Sequence, residues 1–273
     1  MLVAFICLFI IVVIFALYTL SLKGNRKNPE TDYFANVRYA HRGFHNKPKV
    51  PENSLSAFSL AAEKGYGIEL DIHLMADGEL AVIHDSSLKR TAGADALIEK
   101  LTRNELQKYT LEQSNEHIPT LKEVLDLIDG RVPLLIELKS EGNVKELCRA
   151  AINELKDYKG RYCIESFDPR CVAFFKKNAP SVVRGQLAMN FFKDKTLKLS
   201  FVLKFFLSVL ALNFWTKPDF IAYKFEERKE LACQIAVKLW KIKGFVWTIR
   251  SASDFKQAED EGYAVIFENF DAN

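Results

Sequence analysis

The sequence lacks the features that mark small disulfide-stapled or nucleic-acid-binding proteins. Only five cysteines occur in 273 residues (Cys7, Cys148, Cys163, Cys171 and Cys233), an odd number with no paired metal-ligand spacing. A disulfide framework is therefore not expected, and a reducing compartment is the simpler reading. Neither sign of charge dominates: 38 Lys and Arg against 35 Asp and Glu give a formal net charge of +3. With that balance and no basic stripe, nucleic acid is not an expected partner, and nothing points to a protein partner. Internal repeats and low-complexity tracts are missing too, which leaves an ordinary globular body.

Charge is absent altogether from Leu2 to Leu20, where most positions are Leu, Ile, Val, Phe or Ala. At 1.5 Å per residue, about 20 such residues span a hydrocarbon layer of ~30 Å. Tyr18 stands near the far end, where an aromatic anchor belongs. A cleaved signal peptide would carry a basic residue before the run and a small-x-small site after it, and neither is present. Residues 1–22 are expected to be a single transmembrane anchor, residues 23–35 a polar linker with Gly24 and Pro29, and residues 36–273 the folded domain. Lys23, Arg26 and Lys27 follow the span, so the positive-inside rule leans the domain toward the cytoplasm.

In the body, short apolar runs alternate with helical patterns. The runs are Val37–Ala40, Ile68–Leu74, Leu80–Ile83, Leu134–Leu138, Tyr162–Ser166, Val182–Leu187, Asp219–Ala222, Phe245–Trp247 and Ala264–Phe267. Asn53 and Ser54 can cap a helix over Leu55–Lys64 that Gly65 ends, and Thr102/Glu105 and Thr120/Glu123 have capping-box spacing. Alternating strands and helices predict a parallel sheet, and the ~240 residues available suit one (β/α)₈ barrel. Nine runs exceed eight strands. Leu80–Ile83 is read as a hairpin return from the second strand, because Asp77-Gly78 is a strong turn signal. The segment from Phe191 to Trp215 holds Lys193, Lys195, Lys198 and Lys204 among many Phe, Leu and Val, with Ser200, Lys204 and Ser208 four apart. It reads either as a barrel helix covering the sheet or as a helix resting on a bilayer near the substrate entrance.

In Ile68-Glu69-Leu70-Asp71-Ile72-His73-Leu74 the polar residues alternate with aliphatic ones, so Glu69, Asp71 and His73 share one face of a strand. Glu137 and Lys139 stand near the carboxyl end of a later strand, the end at which barrel enzymes build their sites. Glu69, Asp71 and Glu137 form a hard oxygen donor set for Mg²⁺ or Ca²⁺; a buried salt bridge is the plainer alternative. His41 and His84, at two strand ends beside those acids, tilt the reading toward a general acid and a general base for phosphoryl transfer. Arg42 and Lys139 suit phosphate binding. His45 and His117 read as surface loop residues.

Taken in order, several stretches resemble the glycerophosphodiester phosphodiesterase family. They are Ala40-His41-Arg42-Gly43, Pro51-Glu52-Asn53-Ser54, Gly67-Ile68-Glu69-Leu70-Asp71, Asp77-Gly78 and Val82-Ile83-His84-Asp85. Further on come Ile118-Pro119-Thr120-Leu121, Ile136-Glu137-Leu138-Lys139, Ser166-Phe167-Asp168 and Val246-Trp247-Thr248. The resemblance implies a barrel that hydrolyses glycerophosphodiesters to glycerol 3-phosphate and an alcohol. It also implies catalytic roles for His41 and His84, metal ligation by Glu69, Asp71 and Glu137, and phosphate contacts from Arg42 and Lys139. His73 falls at a position where the family varies. Ala264-Val265-Ile266-Phe267-Glu268 departs from the family's usual last strand, and Phe267 is expected to reshape the glycerol end of the site. Two other functions stay in view. One is lysophospholipase D action on lysolipids at the membrane, and the other is a non-catalytic membrane-bound binding protein.

Overall fold

A computed structural model describes residues 1–46, 49–112 and 114–272. Helix α1 (Leu2–Ser21) buries none of its side chains. It is long and apolar enough to cross a membrane. A short helix, α2 (Thr31–Ala35), follows, and its Phe34 is buried. Eight parallel strands then close a barrel: β1 (Arg38–Ala40), β2 (Gly67–Leu74), β4 (Leu134–Leu138), β5 (Tyr162–Ser166), β6 (Val183–Ala188), β7 (Phe220–Lys224), β8 (Lys243–Ile249) and β9 (Ala264–Phe267). β1 pairs with both β9 and β2, which completes the ring. The expected α/β (β/α)₈ architecture is therefore observed.

The ninth run is β3 (Leu80–Val82), antiparallel to β2 as the hairpin reading requires. Gly78 turns between them at φ 90°, a left-handed conformation that favours glycine. Helix α3 (Leu55–Glu63) starts where Ser54 accepts a hydrogen bond from the Ala57 N–H. In α4 (Leu121–Ile128) Thr120 and Glu123 form the full capping box. Both arrangements satisfy backbone donors that a helix start leaves orphaned. The remaining covering helices include α5 (Val144–Leu155), α6 (Pro169–Asn178), α7 (Phe201–Ser208) and α8 (Ala252–Asp260).

Strand parity divides the side chains into two sets. Ile68, Leu70, Ile72, Leu134, Ile136, Leu138 and Ile164 face the helices in one continuous core. Each such fully buried aliphatic side chain stabilises the fold by about 1.5–3 kcal/mol. Tyr39, Leu135, Cys163, Val183, Leu187, Phe220, Phe245 and Ile266 fill the barrel interior, and Phe34 of α2 joins them. Gly185 leaves room inside: a Cβ there would strike the Phe220 ring, which stacks on Phe245 with centroids 4.1 Å apart. Two residues beyond this apolar layer on the same strand faces, the interior becomes polar. Tyr39 is followed by His41, Leu135 by Glu137 and Lys139, Cys163 by Glu165, and Ile266 by Glu268. A period of two residues thus lifts a polar ring to the carboxyl-terminal end of the barrel.

Candidate active site

His41 and Arg42 leave β1 in a tight turn, with Arg42 at φ 55° and Gly43 at φ 80°. A Cβ on Gly43 would meet Ala57 and Phe58 within 3 Å, so the turn presses directly on α3. In this turn the Arg42 N–H donates to Glu69 Oε2 at 2.8 Å. The Arg42 guanidinium donates to Glu52 Oε1 at 2.9 Å and lies 3.5 Å from Asp71 Oδ2. Asn53, held at the start of α3, donates its side-chain amide to the same Asp71 oxygen at 2.8 Å.

Glu69, Asp71 and Glu137 offer carboxylate oxygens that all lie within 4.8 Å of one another, and all three residues are buried. Lys139 bridges two of them, its Nζ 2.9 Å from Asp71 Oδ1 and 2.8 Å from Glu137 Oε1. Burial, with the charges of Asp71 and Glu137 nearby, pushes the Glu69 carboxyl well above its usual range. Burial also raises Glu137, partly opposed by Lys139. For Asp71 the balance reverses. Burial alone would raise it, but Lys139, His84 and Arg42 together hold it well below the ordinary aspartate value. Glu165, paired in register with Glu137, adds a fourth buried acid. Its Oε2 has no hydrogen-bond partner among the described residues, and burial beside Glu69 and Glu137 raises its pKa strongly. Four carboxyl groups crowded around two cations, one with an orphaned oxygen, form an electron-rich pocket of hard donors. That donor set fits a divalent cation of the Mg²⁺ or Ca²⁺ kind.

The two histidines flank this cluster. His41 Nδ1 is 2.5 Å from Glu268 Oε2, and its Nε2 is 4.0 Å from Glu69. Burial lowers the His41 imidazole to about 4, against the pull of Glu268. Despite its own burial, Glu268 is held far below the usual carboxylate range by His41, His45 and Arg250. The pair is therefore a neutral imidazole donating Nδ1–H to a carboxylate, which leaves a lone pair on Nε2. His84 is 34% exposed, and its Nδ1 is 2.6 Å from Asp85 Oδ1. Asp85 is fixed in turn by Arg90 at 2.6 Å and pulled down by both partners, His84 first. His73 stands apart from the acid cluster. It contacts Glu99 at 2.7 Å and the His84 carbonyl at 3.1 Å.

The fold thus gathers His41, Arg42, Glu69, Asp71, His84, Glu137 and Lys139 at one strand-end rim. One expectation needs correction. The His45 side chain is only 6% exposed and lies 3.8 Å from Glu268, so it belongs to this rim and not to a surface loop; His117, 42% exposed, is at the surface as read. The Phe267 ring packs with Tyr66, Phe255 and Phe270 on the helix side, and the residue also lines a rim cavity with His45 and Glu268. Glu268, the next residue, is the one that turns inward.

A model of the glycerophosphoryl diester phosphodiesterase family matches residues 41–271. The chain belongs to this family. It is 37% identical over 160 residues to a glycerophosphodiester phosphodiesterase of Caldanaerobacter subterraneus, a match over 54% of this chain and 65% of that protein. A second relative, from Bacillus altitudinis, is 33% identical over 165 residues, 56% of this chain and 66% of its own length. The chain therefore spans just under two thirds of these curated relatives. In fold it resembles an Oleispira antarctica phosphodiesterase solved with the product sn-glycerol 3-phosphate. That likeness has a TM-score of 0.71 at 24% identity and covers 87% of this chain and 94% of that one. Family membership agrees with the resemblance read from the ordered motifs.

Glu268, Glu165, Glu52 and Asn53 were missed as site residues in the sequence. A signal existed for Glu165, since Cys163-Ile164-Glu165 repeats the apolar-to-acid step of Leu135-Ile136-Glu137. For Glu268 the same step appears in Ile266-Phe267-Glu268, but its partner His41 lies 227 positions away.

Proposed function

We propose that this chain is a divalent-metal-dependent hydrolase that cleaves glycerophosphodiesters to glycerol 3-phosphate and an alcohol. The observation that carries the reading is a carboxylate triad within 4.8 Å, set beside a carboxylate-oriented histidine, at one barrel rim. The names of the curated relatives and the product held by the Oleispira protein point the same way.

Glu69, Asp71 and Glu137 would hold the cation, which when bound supplies Lewis-acid stabilisation of phosphoryl oxygens. Arg42 and Lys139 bring positive charge to the phosphate, and Glu52 and Asn53 keep that corner fixed. His41 acts as general base through Nε2, because Glu268 holds its proton on Nδ1. His84, more exposed and oriented by Asp85, gives its proton to the departing alkoxide. In this reading α1 anchors the protein in a membrane, and Lys23, Arg26 and Lys27 keep the barrel on the cytoplasmic side. Lysophospholipids are a second substrate class, favoured by the exposed phenylalanines of α7.

The test is release of glycerol 3-phosphate from glycerophosphocholine by the full chain in detergent, with a lysophosphatidylcholine assayed beside it. Chelation is expected to abolish turnover, and Mg²⁺ or Ca²⁺ to restore it. Undiminished turnover in chelator would remove the metal from the mechanism. A folded protein silent on both substrates would remove the hydrolase reading.

A further inference from the structure

Outside the site, and apart from α1, the described residues include an apolar helix face left uncovered. Helix α7 buries Leu207 and Ser208 but exposes Phe201, Val202, Leu203, Phe205 and Phe206, with Phe201 at 74%. Exposed Phe192 packs on Phe201 with ring centroids 5.1 Å apart. A helix on a water-facing surface turns such residues inward, and a contiguous exposed apolar patch marks an interaction surface.

The path of α1 indicates what covers it. Leu22 is buried against Ala188, Leu210, Ile221 and Tyr223. Just before it, the Tyr18 hydroxyl donates to the Val209 carbonyl at 3.4 Å and lines a groove of about 410 Å³ with Asn190, Phe192, Phe205 and Leu231. Just after it, the Asn25 N–H donates to the Pro218 carbonyl at 2.8 Å, and its side chain donates to Asp219 at 2.6 Å. Asn190 follows the carboxyl end of β6, whereas Pro218 and Asp219 precede the amino end of β7. From Tyr18 to Asn25 the chain therefore descends the outside of the barrel from the catalytic rim to the opposite end. Residues 2–17 consequently rise from the rim that carries His41 and His84. A bilayer crossed by α1 lies over that rim, on the side where α7 presents its phenylalanines. Exposed Lys195 and Lys198 flank the patch, where ammonium groups can reach lipid phosphates.

We propose that the exposed face of α7, with Phe192, is a second membrane contact that inserts shallowly into the same bilayer as α1. The two contacts hold the mouth of the barrel against the lipid surface, so that substrate arrives from the lipid–water interface. The proposal rests on the reading of α1 as a membrane span.

The test uses the full chain reconstituted in phosphatidylcholine vesicles. An environment-sensitive fluorophore is placed on Phe205→Cys in a Cys7→Ser background, where the other four cysteines are buried. Nitroxide-bearing lipid is expected to quench the probe, and aqueous iodide to reach it several-fold less than the same probe on the surface residue Lys156→Cys. Phe201→Cys repeats the measurement at a position whose replacement leaves the core intact. Protein that floats with the vesicles while its probe is open to iodide and untouched by the lipid quencher overturns the docking and spares the anchor. A probe shielded from both quenchers means a second copy or another protein covers α7, which also overturns the proposal. Protein that fails to float overturns the anchor and the docking together.

Discussion

His41 sits among groups that act on its proton in opposite directions: burial and Arg42 drive it off, and Glu268 draws it toward Nδ1. The outcome is an imidazole with a fixed tautomer, set by the carboxylate of Glu268, which is the form the proposed general base requires. Glu268→Gln keeps the shape but can present an amide N–H to Nδ1, which favours the wrong tautomer. We expect kcat on glycerophosphocholine to fall by on the order of 10²-fold or more, with KM changed little. A loss below about threefold would mean that His41 is oriented by something else. His41 and His84 were legible in the sequence because each follows a strand, and the three acids because they alternate with aliphatic residues within β2 and β4. Glu268 was not, since its role is created only when β9 closes against β1. His45 was misread for a related reason: a loop histidine looks exposed until the β9 end folds over it.

The strands carry more of this plan than the loops do. Alternation in β2 and β4 announced which residues face inward, and the Asp77-Gly78 turn resolved nine apolar runs into eight staves and a hairpin return. What alternation could not assign was the slot between β6 and β7, where hydrophobic content alone does not tell a covering helix from a membrane-facing one. Contacts between neighbouring βα units were equally invisible. Glu261, just after α8, receives two hydrogen bonds from Arg228, which lies beyond β7, at 2.7 and 2.9 Å. Arg228 pulls the Glu261 carboxyl from 4.5 down to about 2. A depressed carboxyl contributes stability above its unfolded pKa, and that contribution fades as pH falls toward the folded one. Glu261→Gln is therefore expected to cost up to about 1 kcal/mol at pH 7. The deficit should shrink as pH drops from about 4.5 to about 2, as followed by denaturant unfolding. A deficit independent of pH would show that shape, not charge, holds the two units together.

Over the whole molecule, the barrel concentrates acids at one end and keeps its apolar layer below them. Glu69, Glu137 and Glu165 all have raised proton affinities, first because they are buried and then because they face one another, so part of the fold's stability is spent on burying acids at the rim. A divalent cation held there would offset that crowding of negative charge and would bind only the folded chain. At about 100 times its Kd it should stabilise the protein by about 2.7 kcal/mol and raise Tm by about 5–10 °C. Glu69→Gln with Asp71→Asn should remove that shift; a Tm indifferent to Mg²⁺, Ca²⁺ and chelator in the unaltered protein would place no cation at the triad. The most direct measurement is glycerol 3-phosphate release from glycerophosphocholine by the full chain beside its His41→Ala and His84→Ala variants, with metal present and folding checked by unfolding midpoint. Turnover by the unaltered chain that falls at least 10²-fold in each equally folded variant is the predicted result. Turnover that survives in either variant would contradict the paired-histidine site at the barrel rim.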